Sequence, residues 1–179
     1  MERTVKVNSS ETALLVIDVQ RALFTRSNPV YLAYKLIETI NALISRAHLY
    51  GVQTVYIQHN NASILKKGTS GWQLHPDLSP PISQDLSIQK AHGNAFVETL
   101  LQDYLEVRGI KNLLITGLVT EGCVRATSLG GLDIGYEVIL VKGGHSNYNE
   151  DAEQVIEKHE SELEEAGVVI ISSEGIDFS

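Results

Sequence analysis

The chain has 179 residues, 43% hydrophobic and 20% charged, with a formal net charge of −8. That length suits one domain with a sizeable core, and an acidic balance without clustered Lys and Arg argues against nucleic acid and anionic membrane as partners. The single cysteine, Cys123, excludes an internal disulfide and fits a reducing, cytoplasmic setting.

In chain order, "MERTVKVNSSETALLVID" has too short an apolar run for a signal peptide or a membrane span. Its end, "TALLVID" (12–18), predicts a strand buried on both faces, because apolar and β-branched residues follow one another without polar alternation. Residues 28–50 predict a helix. Leu32, Leu36, Ile40, Leu43 and Ala47 recur at spacings of three and four, Pro29 suits a first turn and Gly51 punctuates the end. "VQTVYIQ" (52–58) predicts the next strand.

Residues 59–89 form a long Asn-, Ser-, Gly- and Pro-rich stretch, which inside a compact domain predicts a functional or mobile loop. Alternation then resumes: a helix over 94–107, a strand over 112–117, a helix over 122–134, a strand over 137–142, a helix over 150–166 and a last strand over 168–171. Strands alternating with helices predict an α/β three-layer sandwich with a mostly parallel, Rossmann-like central sheet, in a single domain spanning 1–179. In such a sheet ligands bind beyond the carboxyl ends of the strands.

Three chemically capable residues stand at those ends. Asp18 closes the first strand and suits either a turn cap or a site carboxylate. Lys90, in "SIQKAHGNAF", is either a solvated boundary lysine or a cation that lowers a nearby thiol's pKa. Cys123, in "GLVTEGCVRAT", is either a small core residue or a nucleophile. Its position at a predicted helix start puts the nucleophile level with the core role, since the dipole there eases loss of the thiol proton and outward N–H groups can hold an oxyanion.

Taken together, "LLVIDVQ" (14–20), "QKAHGNAF" (89–96) and "ITGLVTEGCVRATSLGGLDIGYEVILV" (115–141) resemble the isochorismatase-like cysteine hydrolase superfamily over nearly the whole chain. The resemblance implies a catalytic triad of Asp18, Lys90 and Cys123. It further implies a cis peptide at Leu118–Val119 that sets the Val119 and Cys123 N–H groups as an oxyanion hole. It implies no cofactor, a small-molecule substrate and a homodimer or homotetramer, for which the apolar helix 32–49 offers a face. The implied activity is hydrolysis of a small amide or ureido compound. The alternatives are vinyl-ether hydrolysis of an isochorismate-like compound, a non-catalytic binding module, and a redox sensor, which has no second cysteine to resolve a sulfenic acid.

The chain departs from the family pattern in places. Metal-dependent nicotinamidases carry Asp-x-His after the second strand, where this chain reads "YIQHNN"; His59 and His75 remain, but no metal site is expected. His59, Phe24 and Trp72 are expected in the substrate pocket, Trp72 as an aromatic lid, with core packing the competing role for Phe24. An Asp-Ala pair common after the fifth strand is replaced by "KGGHSNYN", whose Gly143 and Gly144 either open room for substrate or shape a turn. The acidic helix near the C-terminus reads as a solvated face.

Overall fold

The computed structural model describes residues 4–179, so the first three residues of the N-terminal stretch considered above lie outside the described residues. In chain order the elements are β1 (Val5–Val7), β2 (Thr12–Ile17), α1 (Arg21–Phe24), α2 (Ala33–Tyr50), β3 (Gln53–His59), β4 (Leu86–Lys90) and α3 (Leu101–Val107). They continue with β5 (Asn112–Leu118), α4 (Arg125–Asp133), β6 (Glu137–Ser146), α5 (Ala152–Ala166), β7 (Val169–Ser172) and β8 (Ile176–Phe178). Six strands pair in parallel in the order β4-β3-β2-β5-β6-β7, and β1 pairs in parallel with β8 in a separate ribbon.

The unbroken apolar run of β2 follows from its central place. Successive side chains of a strand point to opposite faces, and both faces here are covered. Leu14 and Val16 pack with Tyr56, Leu114 and Ile139 beneath α2, which presents Leu36, Ile40, Leu43, Ile44 and Ala47. Ala13, Leu15 and Ile17 pack with Val55, Ile57, Leu113 and Ile115 beneath Leu101 and Leu105 of α3 and Leu163 of α5. Each fully buried Leu or Ile contributes about 1.5–3 kcal/mol relative to exposure. The result is the expected three-layer α/β sandwich.

Strand order reverses between β2 and β5: β3 and β4 build outward on one side of β2, β5 to β7 on the other. A ligand crevice is expected at such a reversal, beyond the carboxyl ends. The two central strands approach closely there. A Cβ on Gly117, which has φ +118°, would stand 1.9 Å from the Ile17 carbonyl oxygen, so only glycine fits.

Several predicted boundaries move. The helix expected from residue 28 begins at Ala33, because Leu32 takes a left-handed conformation (φ 48°, ψ 40°) and Pro29 stays outside. The segment before it is instead tied to the end of β6: Tyr31 N–H donates to the Asn147 carbonyl at 2.8 Å, and Ser146 Oγ donates to the Tyr31 carbonyl at 2.6 Å. The helix expected over 94–107 keeps only its second half. Asn94 folds its own chain into a turn by accepting from Phe96 N–H at 3.0 Å, and Glu98 has φ 55°. The long 59–89 loop contains β4 at its end, and β1 and β8, short and at the chain's ends, carried no readable pattern. No helix among the described residues is long and apolar enough to cross a membrane.

Candidate active site

Three carboxyl ends of strands converge on one ammonium group. Asp18 follows β2 directly, Lys90 ends β4, and Cys123 stands in the turn after β5. Lys90 Nζ lies 2.9 Å from Asp18 Oδ2, 3.1 Å from Cys123 Sγ and 3.0 Å from His59 Nδ1. His59 ends β3 and is the register partner of Lys90, which explains how it reaches the same nitrogen. The structure thus brings together Asp18, Lys90 and Cys123, and adds His59 as a direct partner of the lysine. Asp18 itself takes φ 53°, an uncommon angle for a non-glycine residue.

Cys123 does not occupy the first turn of a regular helix. Residues Thr120–Val124 form a wide turn broken at Gly122 (φ −109°, ψ −110°), and α4 begins only at Arg125. The peptide bond between Leu118 and Val119, just before this turn, is cis.

The electrostatics also differ from the expectation of an easily ionised thiol. Burial and the neighbouring Asp18 charge push the Cys123 thiol up to about 11, against the opposing pull of Lys90. Burial likewise raises the Asp18 carboxyl above its ordinary value, outweighing the Lys90 charge and hydrogen bond and the thiol of Cys123. One lysine therefore does not neutralise the cost of enclosing two potential anions, and the resting thiol keeps its proton. Asp18 Oδ1 has no hydrogen-bond partner, so an acceptor is available in the cluster. Burial, followed by the Lys90 charge, lowers the pKa of His59, so its neutral Nδ1 accepts from the ammonium.

Asp18, His59 and Cys123 offer ligand atoms within 4.8 Å of one another, the spacing of a small metal cluster. The Lys90 ammonium, however, touches all three. A divalent ion at the usual distances of about 2.0–2.3 Å from such donors would need the same position. This cluster is built around the protein's own cation. His75 is elsewhere: its ring meets Phe24 at a centroid distance of 4.4 Å, and its Nδ1 accepts from Asp77 N–H at 3.2 Å.

The other pocket candidates divide. Phe24 packs against the α2-side core and, with His75, Arg21, Ser70 and Gly71, borders a recess of about 380 Å³ that does not include the triad. Trp72 is held by its carbonyl, which accepts from Gln20 Nε2 at 2.9 Å and from Gln58 Nε2 at 3.0 Å. Its ring N–H is buried without a hydrogen-bond partner. Gly143 and Gly144 form no terminal turn. They lie inside β6 and create a bulge: Ile115 pairs with Leu140, but Gly117 pairs with His145. Gly143 takes φ +76°, and a Cβ on Gly144 would stand 3.0 Å from Val141 Cβ and 3.1 Å from Thr116 Cγ2.

The sequence reading missed three residues. Gln20 is fully buried; it accepts from His59 N–H at 2.9 Å and donates to the His59 carbonyl at 3.1 Å, fixing that residue's backbone. His145 and Glu160 lie behind the cysteine turn. A histidine directly after a Gly-Gly pair was the available signal; the bulge that aims it is set by strand pairing.

Residues 12–174 match the family model described as the Isochorismatase domain. Streptothricin hydrolase of Streptomyces noursei is 30% identical over 139 residues, covering 76% of this chain and 50% of that protein. The ureidoacrylate amidohydrolase RutB of Acinetobacter baylyi is 26% identical over 170 residues, covering 74% of this chain and 69% of that protein. The chain thus spans about half the length of the first of these relatives. The crystal structure of pyrazinamidase of Pyrococcus horikoshii in complex with zinc superposes with a TM-score of 0.81 at 25% identity, covering 90% of this chain and 99% of that one. With most of its length matched by one family model, the chain belongs to the isochorismatase-like hydrolase family.

Proposed function

We propose that the protein is a cysteine amidohydrolase that cleaves a C–N bond in a small amide or ureido compound. The observation that carries this reading is the buried Lys90 ammonium, 2.9 Å from the Asp18 carboxylate and 3.1 Å from the Cys123 sulfur. The relatives named for hydrolysis of streptothricin and ureidoacrylate support the bond type.

In the proposed reaction Cys123 Sγ attacks the carbonyl carbon while Asp18 takes the thiol proton. A carboxyl whose pKa burial has raised is the stronger base for this transfer. The proton moves with the attack, because a thiol at about 11 is not ionised beforehand. Lys90 balances the negative charge as it passes between sulfur and carboxylate. The Val119 and Cys123 N–H groups take the developing oxyanion, each such donor contributing about 2.7–4 kcal/mol. Collapse expels the amine, which receives the proton from Asp18. Water, deprotonated by Asp18, then hydrolyses the thioester and restores the thiol. His59, half-exposed, is the wall residue beside the scissile group.

The test measures amine release across a panel of small amides and ureido acids by wild type and Cys123→Ala, with intact mass to trap the thioester. Release by wild type that disappears in Cys123→Ala is expected. Release that survives the substitution, or no release from any member of the panel, overturns the proposal.

A further inference from the structure

Behind the cysteine turn lies a second buried polar chain that the proposed reaction does not use. Thr120 opens the turn that carries Cys123, and it is fully enclosed, with no accessible surface. An enclosed hydroxyl needs a partner, and this one has His145 Nδ1 at 2.9 Å. The His145 side chain is fully buried as well. Its Nε2 lies 3.2 Å from Glu160 Oε1, on α5, although neither atom completes a hydrogen bond. The imidazole thus stands between the Thr120 hydroxyl on its Nδ1 side and the Glu160 carboxylate on its Nε2 side.

The next residue of the turn is tied by the same segment. Asn149 Nδ2 donates to Glu121 Oε1 at 2.7 Å and to Asn147 Oδ1 at 3.1 Å. Two consecutive residues of the turn are therefore fastened by side chains from 145–149. The Gly143–Gly144 bulge makes this reach possible: between the pairs Ile115–Leu140 and Gly117–His145, β5 advances two residues and β6 five. Without those extra residues in β6, His145 would fall out of register with the start of the turn.

From this geometry we infer that His145 is a positioning residue for the nucleophile: through Thr120 it holds the Thr120–Val124 turn so that Cys123 Sγ stays on Lys90 and Asp18. The inference rests on the hydrolase reading for its catalytic consequence, but the placement of the thiol is measurable without any substrate. Thr120 is too enclosed to act as a nucleophile itself, so the hydroxyl–imidazole–carboxylate order here serves orientation.

The experiment compares Thr120→Val, Thr120→Ser, His145→Leu and His145→Asn, since Asn offers an acceptor near the Nδ1 position and Leu does not. Melting curves identify the variants that fold. The first readout is the rate of Cys123 alkylation by iodoacetamide. A loosened turn exposes the thiol, so Thr120→Val and His145→Leu are expected to react several-fold faster than wild type, with Thr120→Ser and His145→Asn close to it. The second readout, with a turned-over amide, is a kcat lowered at least about tenfold with KM within about twofold, as expected when a reacting atom is displaced by a fraction of an ångström. The double variant should lose no more than either single one, because both act through one contact. Alkylation rates unchanged in Thr120→Val and His145→Leu overturn the inference, as do losses that multiply in the double variant. Absence of turnover in wild type would count against the hydrolase reading alone and leave the alkylation result to decide this one.

Discussion

Replacing Lys90 with Met removes the one cation from a site that encloses Asp18 at 2% exposure and leaves three acceptors facing an apolar tail. Breaking a buried ion pair from one side costs about 3–5 kcal/mol. For a chain of this size each kcal/mol corresponds to about 2–4 °C, which sets the expected fall in Tm at about 6–20 °C. The pH dependence identifies the source. The folded pKa of Asp18 already lies above its ordinary 3.8. As pH rises from that value, the folded protein holds more protons than the unfolded chain, so stability declines through the window and stays lower above the folded pKa. Losing Lys90 raises the folded pKa further and enlarges the penalty. The stability gap between Lys90→Met and wild type should therefore be full above the variant's Asp18 pKa and narrow as the pH falls through it. Urea unfolding followed by Trp72 fluorescence over a pH series measures the gap. Adding Asp18→Asn to the variant should restore part of the lost stability. A gap of the same size at every pH, or a double variant no more stable than Lys90→Met, would refute the electrostatic reasoning.

Three further outcomes follow from the same geometry. Because the Asp18 charge is among the causes that raise the Cys123 thiol to about 11, Asp18→Asn should speed iodoacetamide alkylation at fixed pH while abolishing amide turnover; slower alkylation counts against the electrostatic reading, and retained turnover counts against Asp18 as the base. His59 has a pKa below its ordinary 6.5, so the unfolded chain takes a proton first as pH falls through 6.5 and the folded state loses stability down to the folded pKa. His59→Gln should flatten that decline, which a melting series between about pH 7 and pH 5 would reveal. Gly117→Ala would force a methyl to within 1.9 Å of the Ile17 carbonyl, and should cost about 3–5 kcal/mol in urea unfolding; a loss below about 1 kcal/mol would mean the strands part easily.

Much of the scaffold was legible before folding. Buried parallel strands announce themselves as apolar runs, so "TALLVID" and "NLLITG" located the two central strands to within a residue. The helix ending at Gly51 was readable from its apolar spacing, but its start was not, because Leu32 breaks it with a conformation that no local rule assigns to leucine. The site residues Asp18, Lys90 and Cys123 were legible as polar residues at strand ends and as a set that resembles a known family.

The sequence by itself determined the layer architecture and the strand-end positions of the three candidate site residues, because those follow from composition and period. Tertiary structure alone decided the rest, because each remaining feature depends on residues far apart in the chain. Strand register set His59 beside Lys90. The reversal of strand order placed Asp18 and Cys123 at one crevice. Enclosure raised a thiol that its position in the sequence suggested would be lowered. The bulge at Gly143–Gly144 carried His145 to Thr120, a contact between residues 25 positions apart that exists only once β5 and β6 are paired.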